Sequence, residues 1–433
     1  MSPAPSGAEG SAETVDVAVV GAGAAGLMAA ISAARHASTL RIACLDGART
    51  IGAKILVSGG ARCNVTNRIV TERDFWGGPS RIVRDVLRAF PAAQAAAFFA
   101  EIGIALHEEE DGKLFPDTNR ARTVLDALLR ECARLRIEVR PGCRVTAIAP
   151  AGDGFDIATS RGRLRTHAAV LATGGRSLPK SGSDGFGYTL AAGLGHTSID
   201  TTPALVPLVF ADERLRELSG VAHPAELSVR SAGARPVRLT GSLLWTHFGA
   251  SGPVVLNASR HWHRAVVEAS PVSVSVNICP GETFESLESW WTAIAQERPR
   301  ASVLTVLATR VPSAVAGVWL AQAAVDPAQT MAHVSREDRR AVIHALLDTR
   351  LDVRDSRGYT YAEVTAGGVP LTEIDPATMA SRVCPGLFVV GEILDVDGRI
   401  GGFNFQWAWS SGFVAGRAIA KRLTREASSR APS

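Results

Sequence analysis

The chain reads as an α/β protein, a Rossmann-like domain interrupted by an inserted β-sheet or barrel domain that itself carries a helical insert. Three observations predict this. At the N-terminus a β-branched run, a glycine turn and a helical stretch follow one another. Short alternating runs fill residues 197–277, and amphipathic helical stretches fill 278–351. Near the C-terminus a last buried apolar strand and a small-residue turn lead into a helix.

Size and composition suit that plan. At 433 residues the chain is long enough for two or three domains. Hydrophobic residues make up 46% and charged residues 20%, the balance of a globular protein with a substantial core. The net charge of +4 is small for this length and the basic residues are scattered, which argues against a nucleic-acid partner. Cys44, Cys63, Cys132, Cys143, Cys279 and Cys384 form no CxxC pair, so reduced thiols in a cytoplasmic protein are expected. No Cys/His cluster has zinc-ligand spacing; His261 and His263 come nearest and are expected on the surface, so no metal site is predicted. Residues 1–13 are rich in Ala, Ser, Gly and Pro without a basic stretch, and are expected to be a disordered leader rather than a signal peptide. The apolar run 15–34 has the length of a membrane span. Asp16 and the glycines at 21, 23 and 26 make it instead a buried strand and a helix, and no membrane partner is expected.

Residues 15–20 are β-branched and suit a strand buried on both faces. The turn Gly21-Ala-Gly23-Ala24-Ala25-Gly26 follows, and 27–35 read as helix. Gly21 makes the turn, Gly23 admits a pyrophosphate, and Gly26 lets helix and strand close up. The N–H groups at Ala24 and Ala25 then meet the phosphates at the positive end of the helix dipole. A second strand, 40–45, ends at Asp46, whose carboxylate can accept from both ribose hydroxyls of an adenosine. This is a dinucleotide site, and taken alone it serves NAD or FAD.

Residues 52–67 read as a loop dense in glycines, donors and small side chains. Lys54 and Arg62 can meet phosphate charge. Ser58, Gly59, Gly60 and Asn64 offer hydrogen bonds without bulk, as a planar ring system at close range requires. Strands follow at 137–140, 144–148 and 155–160, and 168–175 is a buried strand ending in a glycine pair. In the inserted region the runs 205–210, 227–230, 237–239 and 272–276 predict short strands. Residues 286–297 and 335–351 predict amphipathic helices, punctuated by Pro299, Pro312 and Pro327. Trp290 and Trp291 read as packing residues. Residues 362–369 return the chain to the first domain, 387–392 form the last buried strand, and Gly401-Gly402-Phe403-Asn404 precedes a helix from about 407 to 423. The domain reading is therefore a leader over 1–13, a first domain over 14–196 and 352–425, a β domain over 197–277, a helical insert over 278–351 and a disordered tail over 426–433.

The segments GAGAAG, GAKILVSGGARCNVTN, LATGGRSLPKSGSDGFGYTLAAGLGH and VVGEILDVDGRIGGFNFQWAWSSG resemble the HI0933-like flavoproteins, also called YhiN- or BaiN-type NAD(P)/FAD-dependent oxidoreductases. Some members carry the label aminoacetone oxidase family. The resemblance covers most of the chain and is weakest over about 210–350. It implies FAD held without a covalent bond in a Rossmann-like two-dinucleotide-fold domain, with the substrate-side domain interrupting it. It implies that Val145 contacts adenine through its backbone and that Thr173, Gly174 and Gly175 pass close to the cofactor. It places Gly391 and Glu392 beside the ribityl chain with Asp397 following, and lays the Gly401–Asn404 turn against the flavin ring. A helix starting near Asn404 would aim its positive end at the flavin edge that gathers negative charge on reduction. Cys63 falls near the flavin, where a redox-active thiol and a buried inert one both remain open.

The segment Leu244-Trp-Thr-His-Phe-Gly-Ala-Ser-Gly-Pro253 resembles the family's THxGxSGP stretch. His247 reads either as a general acid or base, histidine being the side chain that exchanges protons near neutral pH, or as a support for its own turn. The catalytic candidates are thus His247, Asn404 and Arg62. The resemblance implies hydride transfer through flavin N5, driven by NADH or NADPH, onto an activated C=C bond of an enone-like small molecule. An O2-using amine oxidase and a protein with structural FAD are the alternatives.

Overall fold

The computed structural model describes residues 13–430 and divides into two compact units, one running to Thr201 and resuming at Val364, the other spanning Thr202–Glu363. The sequence reading had set the two crossings at 196/197 and 351/352. Residues 1–12 of the expected leader lie outside the described residues, and Glu13 already opens a strand.

In the first unit β1 (Glu13–Val20) leads through the glycine turn into α1 (Ala24–His36) and back to β2 (Ile42–Leu45). Next comes α2 (Ala53–Ala61), where the sequence had predicted a loop. Ala53 to Val57 are adequate helix formers and bury Ile55, which suffices for a short helix; Ser58, Gly59 and Gly60 then leave helical geometry. The strands β3 (Glu138–Arg140), β4 (Val145–Ala151), β5 (Gly154–Thr159) and β6 (Gly162–Leu171) complete a sheet of order β3-β2-β1-β6-β5-β4. The β3, β2, β1 and β6 pairings are parallel, and the β6-β5-β4 ribbon is antiparallel. Val17, Ala18 and Val19 are wholly buried between two parallel neighbours, so β1 carries a continuous apolar run rather than an alternating one.

The second unit is an antiparallel sheet with helices. Its strands are β7 (Leu208–Phe210), β8 (Ala222–Ser231), β9 (Val237–Thr246), β10 (Gly249–Ser251), β11 (Val272–Asn277), β12 (Thr349–Leu351) and β13 (Val353–Ser356). Their order is β12-β11-β8-β9-β10-β7-β13. Between β10 and β11 runs α3 (Pro253–Val267), a helix the sequence reading missed inside a region taken as β-rich. Val254, Ala258, Trp262 and Ala265 are among its buried positions, a spacing of four, four and three that seals it onto the sheet. The insert contributes α4 (Phe284–Glu297), α5 (Ser313–Gln322) and α6 (Arg336–Leu347), which share a core with the sheet around Trp245, Trp291 and Trp319.

His261 and His263 correct an expectation. Both lie on α3, on either side of the buried Trp262, and are half-buried rather than surface ornaments; His263 Nε2 meets Ser356 Oγ at 2.8 Å.

The chain returns to the first unit, adds Leu387–Val389 in parallel beside β6, and ends in α7 (Phe403–Arg430). This helix starts four residues earlier than the sequence reading placed it and continues through Arg430, so residues 426–430 of the expected disordered tail are helical. Residues 431–433 lie outside the described residues. The α7 helix packs along α1 at backbone contact. A Cβ on Gly412 would stand 2.5 Å from the Ala25 carbonyl oxygen, and one on Gly416 would stand 2.3 Å from that of Ala29. Ser32 Oγ donates to the Phe413 carbonyl at 2.8 Å and ties the two helices further. No described helix is long and apolar enough to cross a membrane.

Two predictions follow from these packings. Gly416→Val should lower stability by about 3 kcal/mol through overpacking, read as a shifted denaturant midpoint, whereas Lys421→Val on the exposed face of α7 should leave it nearly unchanged; equal midpoints would refute the close-packing account. Burial holds His261 down at about 3 and His263 at about 4, from 6.5. Imidazoles pulled below their unfolded value cost nothing above pH 6.5, and stability is lost as pH falls from there toward 4 and 3. The thermal midpoint of the H261Q/H263Q double variant should therefore decline less steeply between pH 7 and 4 than that of the parent.

Candidate cofactor site

The β1–α1 turn is built for an anion. Gly21 takes φ +103°, and a Cβ there would lie 2.4 Å from the Ala172 carbonyl oxygen. The chain can therefore reverse sharply over the sheet only with glycine at that position. Beyond it Gly23 serves as N-cap of α1 with no side-chain cap, the first turn carries no acidic residue, and nothing lies within 4 Å of a Cβ placed on Gly23. Ala24, Ala25 and Gly26 thus sit at a helix N-terminus that is open, positive and unblocked. Asp46 stands just past β2, accepting from Ala22 N–H and Ala48 N–H at 2.8 Å each. Burial pushes its carboxyl up, against the pull of those two bonds. Each oxygen keeps an acceptor position for a ribose hydroxyl.

The second part of the site joins segments more than 330 residues apart. Asn64, with its amide turned to suit its neighbours, donates to the Thr66 carbonyl at 2.8 Å and accepts from Gly402 N–H at 3.1 Å. Asn67 Nδ2 donates to the Gly401 carbonyl at 3.1 Å, Thr66 Oγ1 donates to Gln406 Oε1 at 2.6 Å, and Trp409 Nε1 donates to the Val65 carbonyl at 2.8 Å. These bonds pin the turn at Gly401 and Gly402, and with it the first turn of α7, against residues 64–67. Asn404 spends both amide atoms on the Gly398 backbone, at 2.8 and 2.9 Å, and so braces the turn. Phe403 points into the core, edge-on to Phe75.

Residues 59–63 hold unusual backbone. Gly59, Gly60, Ala61 and Cys63 all have φ between 55° and 67°. For Ala61 and Cys63 that region costs roughly 1–3 kcal/mol each, strain of the kind that gathers where backbone must meet a ligand. Cys63 is wholly buried, with its N–H on the Ser58 carbonyl at 3.0 Å, and burial pushes its thiol up to about 12. Such a thiol is inert at neutral pH.

A third cluster joins Lys54, Ser177, Thr365 and Glu392. Lys54 Nζ ion-pairs with Glu392 and donates to Ser177 Oγ at 2.6 Å; Ser177 Oγ donates to the same carboxylate at 2.8 Å, as does Thr365 N–H at 3.0 Å. Thr365 Oγ1 in turn accepts from the backbone N–H groups of Arg176 and Ser177 at 2.7 and 3.1 Å. Gly175 lies against this cluster, since a Cβ there would meet Thr365 Oγ1 at 2.4 Å. Sequence reasoning found Lys54, Glu392 and the Thr173-Gly174-Gly175 stretch but missed Ser177 and Thr365. Ser177 stood inside the segment LATGGRSLPK and Thr365 inside the returning stretch 362–369, each as an ordinary hydroxyl.

Of the remaining candidates, Gly391 is close enough to α1 that a Cβ would touch Ala25 Cβ at 2.7 Å. Asp397 is buried, and Val145 is buried at the start of β4. Arg62 pairs with Glu109 at 2.6 Å and lies over the Phe115 ring at 4.1 Å, and it keeps the Glu109 carboxyl below its ordinary value. His247 belongs to the other unit, exposed at the tip of the β9–β10 hairpin.

The open α1 N-terminus, Asp46 beside it and the pinned glycine turn before α7 fit FAD. The diphosphate would take the first, the adenosine ribose the second and the ring system the third. Fold and site together define a Rossmann-type FAD-dependent oxidoreductase. The model of the HI0933-like protein Rossmann domain matches residues 15–418, and the chain belongs to that family. It is 32% identical over 409 residues to the 3-dehydro-bile acid delta(4,6)-reductase of Clostridium scindens, covering 94% of this chain and 99% of the relative. It is likewise 32% identical over 410 residues to the ribosomal RNA dihydrouridine synthase of Escherichia coli, covering 94% and 98%. Among solved structures, the Mycobacterium smegmatis Sdh1 complex in the apo form shares the fold, with a TM-score of 0.50 at 17% identity over 97% of this chain and 69% of that one.

Because Cys63 is buried and its thiol lifted, Cys63→Ala should retain bound FAD. Ellman's reagent should reach the six buried thiols only after denaturation. Fast labelling of Cys63 in the folded protein, or loss of flavin from the alanine variant, would restore an active role for this thiol.

Proposed function

We propose that this protein uses FAD to saturate a C=C bond conjugated to a carbonyl, with NADH or NADPH as electron donor. One observation carries the reading. Two relatives of equal similarity are named for different substrates, yet both names describe this one step. A delta(4,6)-reductase of a 3-dehydro-bile acid acts on double bonds conjugated to a ring ketone. Dihydrouridine is uridine whose ring C=C, conjugated to the C4 carbonyl, has been reduced. Such a bond is electron-poor and takes hydride at its β carbon and a proton at its α carbon.

Bound FAD would supply the two-electron hydride chemistry. The α1 N-terminus would hold the diphosphate and Asp46 the adenosine ribose, with no cost of reorganising either at the moment of reaction. The start of α7, braced by Asn404 and Asn64, would present N–H groups and a positive dipole end where negative charge gathers. Lys54 and Glu392, already paired and joined by Ser177 and Thr365, would hydrogen-bond the polyol chain while adding no net charge. His247 is our candidate to give the proton at the α carbon, a role that rests on its side-chain chemistry and its exposed position in the hairpin turn. Only one complete glycine fingerprint stands in the sequence, so the nicotinamide donor would visit rather than occupy a second Rossmann site.

A small-molecule substrate is the first reading, since the basic residues are scattered along the sequence. The Escherichia coli relative favours a second, in which the reduced ring is a uracil of RNA. The test is anaerobic titration of the yellow holoprotein with NADH and NADPH, followed by a steroid 4,6-dien-3-one or a uracil-containing RNA. Bleaching by a nicotinamide and reoxidation by either acceptor is the expected outcome. Bleaching only by an amine, with peroxide formed in air, would replace the reductase reading with an oxidase.

A further inference from the structure

Ala61 and Cys63 are strained on either side of one residue. Both take positive φ, 66° and 63°, and no other two non-glycine residues with positive φ, among those described, stand so close in sequence. Arg62 between them has ordinary helical geometry, φ −98° and ψ −22°. Strained backbone of this kind persists only where its surroundings fix it. The bonds from residues 64–67 to the start of α7 fix it from one side. The Arg62 side chain fixes it from the other.

That side chain lies on a three-stranded sheet in which Lys113–Pro116 runs between Thr66–Asn67 and Leu106–Glu109. Its two terminal nitrogens donate to the two oxygens of Glu109, at 2.6 and 3.3 Å, a fork that admits one orientation. Its guanidinium carbon lies 4.1 Å from the centre of the Phe115 ring, which is buried. Phe115 is also the floor of the loop itself, since a Cβ on Gly59 would stand 3.1 Å from the edge of its ring. His107, opposite Phe115 in the ladder, sets its Nε2 3.4 Å from Glu109 Oε1 and steadies the carboxylate. Neither Ala61 nor Cys63 can rotate to negative φ without drawing the guanidinium off the carboxylate and the ring.

A hold of this kind, on a partly exposed pair, is modest in energy. Its effect is on populations. A loop released from one side visits relaxed conformers, and a ligand that needs the strained one binds more weakly by the fraction lost.

We infer that Arg62, clamped by Glu109 and Phe115, is a positioning residue that keeps the backbone of residues 59–63 in the shape that receives the ring system of FAD. This rests on the reading that the ring system meets this stretch of backbone. It gives Arg62 a task other than touching phosphate or substrate, because its fork is already engaged by Glu109.

The test measures FAD and ADP binding to the full-length protein freed of flavin. ADP carries the adenosine and the diphosphate without the ring system, so it reports on the rest of the site and on folding. Arg62→Met and Glu109→Gln should each weaken FAD by about 3- to 10-fold while leaving ADP unchanged. The double variant should be no weaker than either single one, because both substitutions remove the same contact. Arg62→Lys should keep part of the affinity, having the charge without the fork. If E109Q binds FAD as tightly as wild type while R62M does not, Arg62 touches the ligand itself and the clamp is overturned. Additive losses in the double variant, an equal loss for ADP, or unchanged FAD binding in R62M would overturn it too. If wild type binds FAD no more tightly than ADP, the placing of the ring system fails instead. Alkylation of Cys63, read by peptide mapping in the same flavin-free proteins, then judges the clamp separately. Several-fold faster reaction in R62M and E109Q than in wild type supports it, and equal rates overturn it.

Discussion

The contact on which the first unit depends is the one between α1 and α7, helices from opposite ends of the chain whose backbones touch. Glycine at 412 and 416 lets the α7 backbone settle on the carbonyls of Ala25 and Ala29. No side chain could intervene there without separating them. Seated this way, the first turn of α7 lies in fixed relation to the first turn of α1, and the two helices run in the same direction. Gly391, pressed against Ala25, extends the same closeness to the last strand end. The dinucleotide turn and the glycine turn before α7 are therefore held in one frame because two small residues permit it.

Around that frame polar groups are spent on one another with economy. The hydrogen bonds from residues 64–67 to residues 401–409 fasten a strained backbone to a rigid helix, so the strain at Ala61 and Cys63 persists instead of relaxing. The cluster of Lys54, Ser177, Thr365 and Glu392 joins four separate stretches of chain and is electrically neutral. Removing one partner would leave a charge with only part of its solvation, which is costlier than the pair is valuable. Such a device serves geometry more than stability. It holds donors and acceptors in place while leaving the local charge to be set by what binds.

The legible features of the sequence were those in which local chemistry and long-range role coincide. Gly21, Gly23, Gly26 and Asp46 announce themselves because the backbone conformation and the ligand demand those residues at those spacings. The β1 run is legible for the same reason, since a strand buried on both faces admits nothing but small and branched apolar residues. The helix at Ala53–Ala61 was not, because its glycines signal a loop, and only the burial of Ile55 makes its first turns worth forming. The α3 helix hid inside a region read as β-rich, although Val254, Ala258, Trp262 and Ala265 already carried a helical period. Ser177 and Thr365 could not be found, since a hydroxyl reveals its part only when the fold shows which carboxylate it faces. Asn404 stood out in the sequence as a catalytic candidate, and its bonds to Gly398 give it a bracing role that no local pattern distinguishes.

The two units of the chain therefore answer to different constraints. Residues that hold FAD must satisfy one fixed molecule, and their positions are constrained by backbone close contacts that tolerate no change of size. The second unit carries no such obligation. Its sheet needs an apolar inner face around Trp245 and Trp319, but the turns at its edge, 247–248 and 357–361, are free to differ without disturbing that core. Two relatives equally similar to this chain are named for a steroid and for a ribosomal uridine. A common step on unlike molecules is the expected result when the cofactor unit is held rigid and edge loops are left to vary.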